Sequence, residues 1–540
     1  MAESVRAGSL YEQVAESLQS RFSPSAEEHM TVCRGDLLCS SAVLPRFYAH
    51  RDFQPAWIND QGLLPQSMSL IEAIHGAYQE GLRPEDYHLA NIEALIDEAV
   101  KGVTGYDSPE PEKLADLDLL LTDAFLLYAS HLLSGHVNPE SIQAEWFIPA
   151  RDANLVEILQ NAVAEERIVE ALERLRPNHP DYVMLKQVLS EYRTIMKCGG
   201  WTTVPRGPKM QKGTRGERVA ALRSRLLATG DLESETEDDR EYFDDVLEQA
   251  VLRFQGRHGL KVDGIVGNAT LAALNVPVQA RICQTKVNLE RWRWLPHDFG
   301  QRYVLVNIAS FGLEVVEHQQ AVMKMRVVVG KRARRTPVFA GTMTYMEFNP
   351  YWNIPQTIAR QDILPSIRKD PAYIAKANIR VFEGWHSGAQ EIKPESVDWS
   401  QITEGNLTFK LRQEPGPFNA LGRIKFMFPN KFAVYLHDTP ARELFEKTKR
   451  TFSSGCIRIA RPIELAAYLV QDDPKWTAPR IHEAIDSNER LVVRVPEPIA
   501  VYILYWTAWL GRDGTVNFRE DVYGRDEVLE RALKEKPPAS

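Results

Sequence analysis

The 540-residue chain reads as a multidomain α+β protein, with a helical first part, a small helical module and a mainly β domain that carries an insertion. Three observations predict this class. Up to about residue 200, apolar residues recur at helical spacing, as in Leu70 to Tyr78 and Leu114 to Leu133, with few β-rich runs. Between 213 and 278, two amphipathic patterns (Gly216 to Leu226 and Phe243 to His258) precede the string GLKVDGIVGNATLAAL. From Gln301, short alternating or continuous apolar runs broken by turn residues replace the helical period.

In the first part, DAFLLYASHLLSGHVNPE is helical until Gly135 and Pro139 stop it. His131 and His136 near that end have no evident partner and read as helix-terminal or surface residues rather than ligands. Gly199 to Gly213, rich in Gly, Pro and Lys, marks a boundary. In the module, Asp263-Gly264 makes a turn and Asn268 is placed as the cap of a short last helix. In the β part, YVLVNIASFGLEVVE and MRVVVG predict a sandwich or barrel-like sheet rather than a doubly wound one. Lys331, Arg332, Arg334 and Arg335 read as a solvated hairpin turn between Val327-Val328-Val329 and Thr336-Pro337-Val338. Residues 356–421 are helical or irregular, an insertion placed to act as a lid. Pro462 to Leu469 reads as a helix, with LVVRV and VYILYWTAWL as closing strands. The expected boundaries are 1–200, 213–278, 301–498 with the insertion at 356–421, and 499–540.

Composition narrows the function classes. Hydrophobic content of 44% and charged content of 25% are ordinary for globular proteins. A net charge of −9 argues against a nucleic-acid binder. Five cysteines are too few for a disulfide framework, although Cys33 and Cys39 are near enough in sequence to bridge under oxidising conditions. No stretch reads as long and apolar enough for a spanning helix, and MAESVRAGSLYEQ lacks the regions of a signal peptide.

The chemistry concentrates in YLHDTP and FSSGCIRIA, which place His437 nineteen residues ahead of Cys456. A histidine ending one strand and a cysteine beginning the next bring a base beside a thiol, and a nearby imidazole raises the thiolate fraction. Gly455 permits a tight turn, so that amides of Gly455 and Cys456 serve as oxyanion donors, each worth roughly 3 kcal/mol. In a strand Cys456 and Arg458 share one face while Ile457 and Ile459 enter the core. Arg458 then favours the thiolate or holds a substrate carboxylate. Tyr435 shares the face of His437. A lone cysteine is more often a small buried hydrophobe, and a histidine before Asp-Thr-Pro can be a turn residue. No second Cys or His stands at ligand spacing near Cys456, so no metal site is expected.

HDTP, the spacing and SSGCIR resemble the signature of L,D-transpeptidases with a YkuD-type catalytic domain, in particular the large YcbB-like members. NLERWRWLP, RTPVFAG, FNPYWNIP and PGPFNALGRIKFMFPN agree with that resemblance. RDFQPAWI and GLRPEDYH resemble the helical scaffold of the same class, and residues 213–278 resemble its three-helix peptidoglycan-binding module. One position departs: Ser454 stands where many relatives carry a second histidine, which leaves His437 as the candidate base.

The resemblance implies that Cys456 forms a thioester with a tetrapeptide stem, releases the terminal D-alanine and passes the acyl group to an amine, giving a 3-to-3 cross-link. It implies that the main-chain carbonyl of Asp438 orients the imidazole, and that Asn349, Trp352 and Asn353 of FNPYWNIP line the substrate groove beside Ser454 and Arg458. No cofactor is implied. The implied partners are peptidoglycan stem peptides and glycan, carbapenem β-lactams as covalent inhibitors, and cell-wall synthesis proteins, in an exported, periplasmic setting. Two other classes stay open on the residues alone: an L,D-carboxypeptidase or exchange enzyme using the same site, and a wall-binding protein with a vestigial site.

Overall fold

The computed structural model describes residues 9–22, 32–104, 110–142, 146–234, 239–511 and 513–537; the first eight residues of the opening string discussed above lie outside them. The first part is helical: α1 (Leu10–Arg21), α2 (Leu44–Ala49), α3 (Pro65–His75), α4 (Leu89–Thr104), α5 (Pro111–Ser134), α6 (Pro139–Ile142), α7 (Leu155–Ala164), α8 (Ile168–Leu175) and α9 (Pro180–Lys197). Two small ladders, β1 (Val32–Cys33) with β2 (Asp36–Leu37) and β3 (Ile58–Asn59) with β4 (Gly62–Leu63), pin the loops between helices.

Helix α5 corrects one expectation. By length and composition it is apolar enough to cross a membrane, yet 89% of its apolar window is buried inside the protein. It is apolar on nearly every side because the other helices surround it. Its polar residues are held by partners: Asp118 accepts from the amides of Ala56 and Trp57 and from the Tyr48 hydroxyl. His131 and His136 are also not at the surface. Their rings are buried in contact with each other, and His131 meets the Tyr87 hydroxyl at 3.0 Å. Cys33 and Cys39 are not bridged to each other.

The module contains α10 (Glu217–Leu227), α11 (Asp245–Arg257) and α12 (Asn268–Leu274) around Val219, Leu222, Phe243, Leu247, Phe254 and Leu274. Gln255 Oε1 accepts from the amides of Asp263 and Gly264, which sets the expected turn. Asn268 is the first helical residue rather than the cap; Gly267 caps α12, with no side-chain hydrogen bond. Helix α13 (Val278–Arg293) then packs on α9, and both enter the core of the β domain, so α9 belongs by packing with the domain that follows it.

The β domain is a closed barrel. Its strands are β6 (Arg302–Asn307), β7 (Gly312–Glu317), β8 (Gln320–Gly330), β9 (Val338–Phe348), β14 (Ile424–Met427), β15 (Leu436–His437), β17 (Ile457–Ile459) and β18 (Leu491–Leu504). They run in the order β14-β15-β17-β8-β7-β6-β18-β9, and β9 pairs back onto β14 to close the ring. Closure removes the exposed edges of an open sheet. β5 (Trp146–Phe147) and β16 (Thr451–Ser453) pair at its margin. Two expectations change here. β8 and β9 do not pair with each other, so residues 331–337 are a crossover and not a hairpin turn. β18 continues through the expected boundary at 498 and pairs with both β6 and β9, with its register against β9 shifting between Arg494 and Ile499.

The insertion builds its own four-stranded sheet, in the order β10-β13-β11-β12, from β10 (Trp352–Asn353), β11 (Ile379–Phe382), β12 (Glu391–Ile392) and β13 (Lys410–Gln413). With α14 (Gln356–Ile358), α15 (Leu364–Lys369) and α16 (Tyr373–Lys376) it buries Ile354, Ile363, Ile367, Val381, Leu407 and Leu411 in a core separate from the barrel's. Its first strand begins at Trp352, earlier than the expected 356. Helices α17 (Pro462–Leu469) and α18 (Ala478–Asp486) follow β17. A ladder of β19 (Ala508–Leu510) with β20 (Val516–Phe518) and helix α19 (Arg525–Ala532) completes the described chain.

Candidate active site

The site lies on one face of three adjacent barrel strands. β15 and β17 run parallel with Leu436 opposite Ile457 and His437 opposite Arg458, and β14 places Lys425 opposite His437. Because side chains alternate, Ile424, Phe426, Leu436, Ile457 and Ile459 all point into the core, where they are essentially inaccessible. The other face carries Lys425, Tyr435, His437, Cys456 and Arg458. The hydrogen bond from the Ile457 amide to the Tyr435 carbonyl, at 3.1 Å, holds this register at the mouth of the site.

His437 is buried, and its Nδ1 donates to the Asp438 carbonyl at 2.5 Å, leaving Nε2 as the unprotonated nitrogen. Burial, and then the charge of Arg458, bring its pKa down to about 3, so the ring is neutral. The Asp438 carboxylate does other work. It accepts from the Arg423 amide at 2.8 Å and from the Arg442 guanidinium. Gly422 makes room for it, since a Cβ there would stand 2.4 Å from that carboxylate. Asp438 therefore meets the imidazole through its main chain alone.

Cys456 is half-buried, and its Sγ lies 3.8 Å from the Ala433 carbonyl. Burial raises the thiol pKa, while the Tyr435 main chain and hydroxyl, Lys425 and Arg458 oppose that rise. Sequence reading placed the imidazole directly against the thiol. The structure puts both on one face without a hydrogen bond between them, and Tyr435 packs edge-on to His437 with ring centroids 5.7 Å apart. The Tyr435 side chain neighbours the thiol and the Trp352 side chain, which comes from the first strand of the insertion.

The turn before Cys456 is braced from below. Gly455 has φ +116°, a conformation that excludes most side chains. Its carbonyl accepts from Thr336 Oγ1 at 2.8 Å, and Ser453 Oγ donates to the Cys456 carbonyl at 2.5 Å. The Gly455 amide is not free for an oxyanion, because it donates to Ser453 Oγ at 3.2 Å. The Cys456 amide has no such partner among the described residues. Ser454 Oγ accepts from Arg334 at 2.8 Å, and the same guanidinium binds Gln361 and Asp362 of the insertion. One arginine of the crossover thus ties the turn before Cys456 to the insertion.

The remaining candidates divide. Arg458 sits beside Cys456, and its buried Nε has no hydrogen-bond partner. Asn353 is exposed on β10 opposite Arg412. Asn349, expected in the substrate groove, has no accessible surface. Its amide donates to the carbonyls of Ala484 and Glu489 and accepts from Arg423, so it braces the barrel instead. Sequence reading missed Lys425, Ser453 and Thr336. Only the alternation of β14 against β15 offered a clue to Lys425. Among the described residues no group of His, Cys, Asp and Glu is arranged to hold a metal.

Comparison with known proteins fits this division of the chain. Residues 42–189 match a "Scaffold domain", 215–274 a "Putative peptidoglycan binding domain" and 301–482 the YkuD "L,D-transpeptidase catalytic domain". A "Putative L,D-transpeptidase" of Haemophilus influenzae is 33% identical over 246 residues, 46% of this chain and 48% of that protein. The chain thus spans about half the length of that relative. The N-acetylmuramoyl-L-alanine amidase CwlM of Mycobacterium tuberculosis is 43% identical over 75 residues, 13% of this chain and 18% of that protein. The solved L,D-transpeptidase of Stackebrandtia nassauensis is 14% identical with a TM-score of 0.22, covering 56% of this chain and 96% of that one. The chain therefore carries a YkuD L,D-transpeptidase catalytic domain together with a peptidoglycan-binding domain.

Proposed function

We propose that the chain cross-links peptidoglycan by cysteine-dependent acyl transfer between peptide stems, outside the cytoplasm where that substrate lies. The observation that carries this reading is the shared face of Cys456, Tyr435, His437 and Arg458, with the hydrophobic halves of the same strands turned inward.

The chemistry follows from the neutral imidazole. In the first half-reaction the sulfur attacks the carbonyl after the third stem residue, the C–S bond forms, and the thiol proton passes to His437. The tetrahedral oxyanion is received by the Cys456 amide and the Arg458 guanidinium. Collapse breaks the C–N bond, and the imidazolium returns the proton to the departing D-alanine amine. In the second half-reaction a side-chain amine of another stem gives a proton to His437 and attacks the thioester. A C–N bond forms, the C–S bond breaks, and the proton returns to sulfur. The product is a 3-to-3 cross-link. The Tyr435 hydroxyl, between thiol and indole, donates to the sulfur while it is anionic. Ser454 and Asn353 line the groove, and the peptidoglycan-binding domain holds the glycan.

Intact-mass analysis tests this reading with a carbapenem, whose strained ring carbonyl resembles the scissile one. Wild type is expected to gain one inhibitor mass and Cys456→Ala none; absence of any adduct on wild type would sink the proposal. With water in place of the amine, the same site acts as an L,D-carboxypeptidase. Tetrapeptide products analysed with and without an amine acceptor separate the two.

A further inference from the structure

Beside the thiol stands a cation that no step above uses. Lys425 lies opposite His437 in the β14–β15 register, on the polar face, with Nζ 4.2 Å from the centroid of the Tyr435 ring. The carboxylate opposite it on β9, Glu347, is engaged by Arg490 at 3.1 Å. No carboxylate comes within 4 Å of the Lys425 ammonium among the described residues. On the other side of His437, Arg458 offers a buried Nε with no partner. Two cations with no direct ion pair among the described residues therefore flank the imidazole on neighbouring strands, spaced about 4.8 Å apart per strand.

A half-buried lysine whose one facing carboxylate is engaged by another cation is costly to keep charged, and a ligand anion lowers that cost. Burial lowers the Lys425 pKa, while the charge of Glu347 and then that of Cys456 oppose the fall. A peptide bound for attack at Cys456 can supply such an anion. The carboxylate of the residue just beyond the scissile carbonyl lies about 3.5 Å further along the chain, within the reach of these two side chains.

We propose that Lys425, acting with Arg458, binds the free α-carboxylate of the leaving residue and so selects acyl donors that end one residue past the attacked carbonyl. The choice of ligand rests on the acyl-transfer reading above. The cationic pocket itself does not. Lys425 becomes a specificity-determining residue that distinguishes a chain terminus from an internal peptide bond.

Two measurements test it separately. The first compares alkylation of Cys456 by iodoacetate and by iodoacetamide, read by peptide mass mapping, with exposed Cys198 as internal reference. A change in thiol acidity moves both reagents alike, so their ratio reports anion attraction. Lys425→Gln and Lys425→Met are expected to lower the iodoacetate-to-iodoacetamide ratio at Cys456 about threefold or more, and Lys425→Arg to preserve it. An unchanged ratio in both neutral variants overturns the proposal, and the iodoacetamide rate itself reports whether the site is intact. The second compares acylation by a tetrapeptide stem and by its C-terminal amide. Wild type is expected to prefer the acid about tenfold, and Lys425→Gln to lose most of that preference; an equal preference in both proteins rejects the assignment. Failure of wild type to be acylated by either donor would instead defeat the acyl-transfer reading, leaving the alkylation ratio to judge the pocket.

Discussion

Cys33 and Cys39 are buried and Cys456 is half-buried, and they differ in what surrounds them. Cys33 and Cys39, in the helical part, lie beside Asp116 and Asp123, and burial followed by those carboxylates pushes their pKa values up to about 12 and about 11. Burial also raises Cys456, but its neighbours are a phenol, a lysine and an arginine that all favour the thiolate. Desolvation acts in one direction on every thiol, so the sign of the surrounding charge is what separates Cys33 and Cys39 from Cys456.

The sharpest way to break this contrast is to remove the sulfur. Cys456→Ala is expected to abolish acyl-enzyme formation by any donor, with Cys33 and Cys39 unlabelled in intact and digested protein. An adduct on either would erase the distinction. Next, His437→Ala should slow acylation about 100-fold or more if the neutral imidazole takes the thiol proton; an unchanged single-turnover rate would reassign the base. Smaller again is the difference in native reactivity. Cys456 should react with iodoacetamide at least about tenfold faster than Cys33 or Cys39 at the same pH, and comparable rates would mean that the cationic surroundings do not matter.

The pH dependence sharpens the comparison further. Because His437 titrates near 3, Cys456 alkylation should rise smoothly from pH 6 upward with the thiolate, without a step near 6.5. A step there would point to an imidazolium–thiolate pair. The same shift bears on stability. The unfolded histidine binds a proton below about 6.5 and the folded one only near 3, so its contribution is complete above 6.5 and is lost as pH falls through that window. Asp118, raised to about 6, acts oppositely: it favours the folded state increasingly as pH falls from 6 toward its unfolded value. Denaturation midpoints of His437→Gln and Asp118→Asn between pH 4 and 7 should therefore diverge from wild type in opposite senses. The smallest effect on chemistry belongs to Asn349→Ala. It should cost about 1–3 kcal/mol of stability by orphaning buried main-chain carbonyls, while the acylation rate per folded molecule stays near that of wild type. A large rate loss would return Asn349 to the substrate groove.

Much of the architecture was legible because it follows from periodicity. Helical spacing marked α3 and α5, and alternation in Cys456-Ile457-Arg458-Ile459 assigned core and cleft before any fold was known. What escaped depended on partners distant in sequence. The Lys331–Arg335 segment has the composition of a hairpin turn, but strand order alone makes it a crossover. Asn349 sits in a functional-looking string, yet its amide is consumed by carbonyls more than a hundred residues away. Lys425 was unremarkable until β14 paired with β15.

By itself the sequence determined the division into helical, modular and β regions, the candidate thiol with its nearby histidine, and which side of β17 faces the cleft. Local period and residue chemistry carry those facts. Tertiary structure alone decided that the strands close into a barrel, that Tyr435 packs beside the imidazole on the thiol's face, and that two cations with no direct ion pair among the described residues stand around His437. Those outcomes depend on register between strands far apart in the chain, and a one-residue slip would turn every one of these side chains to the opposite face.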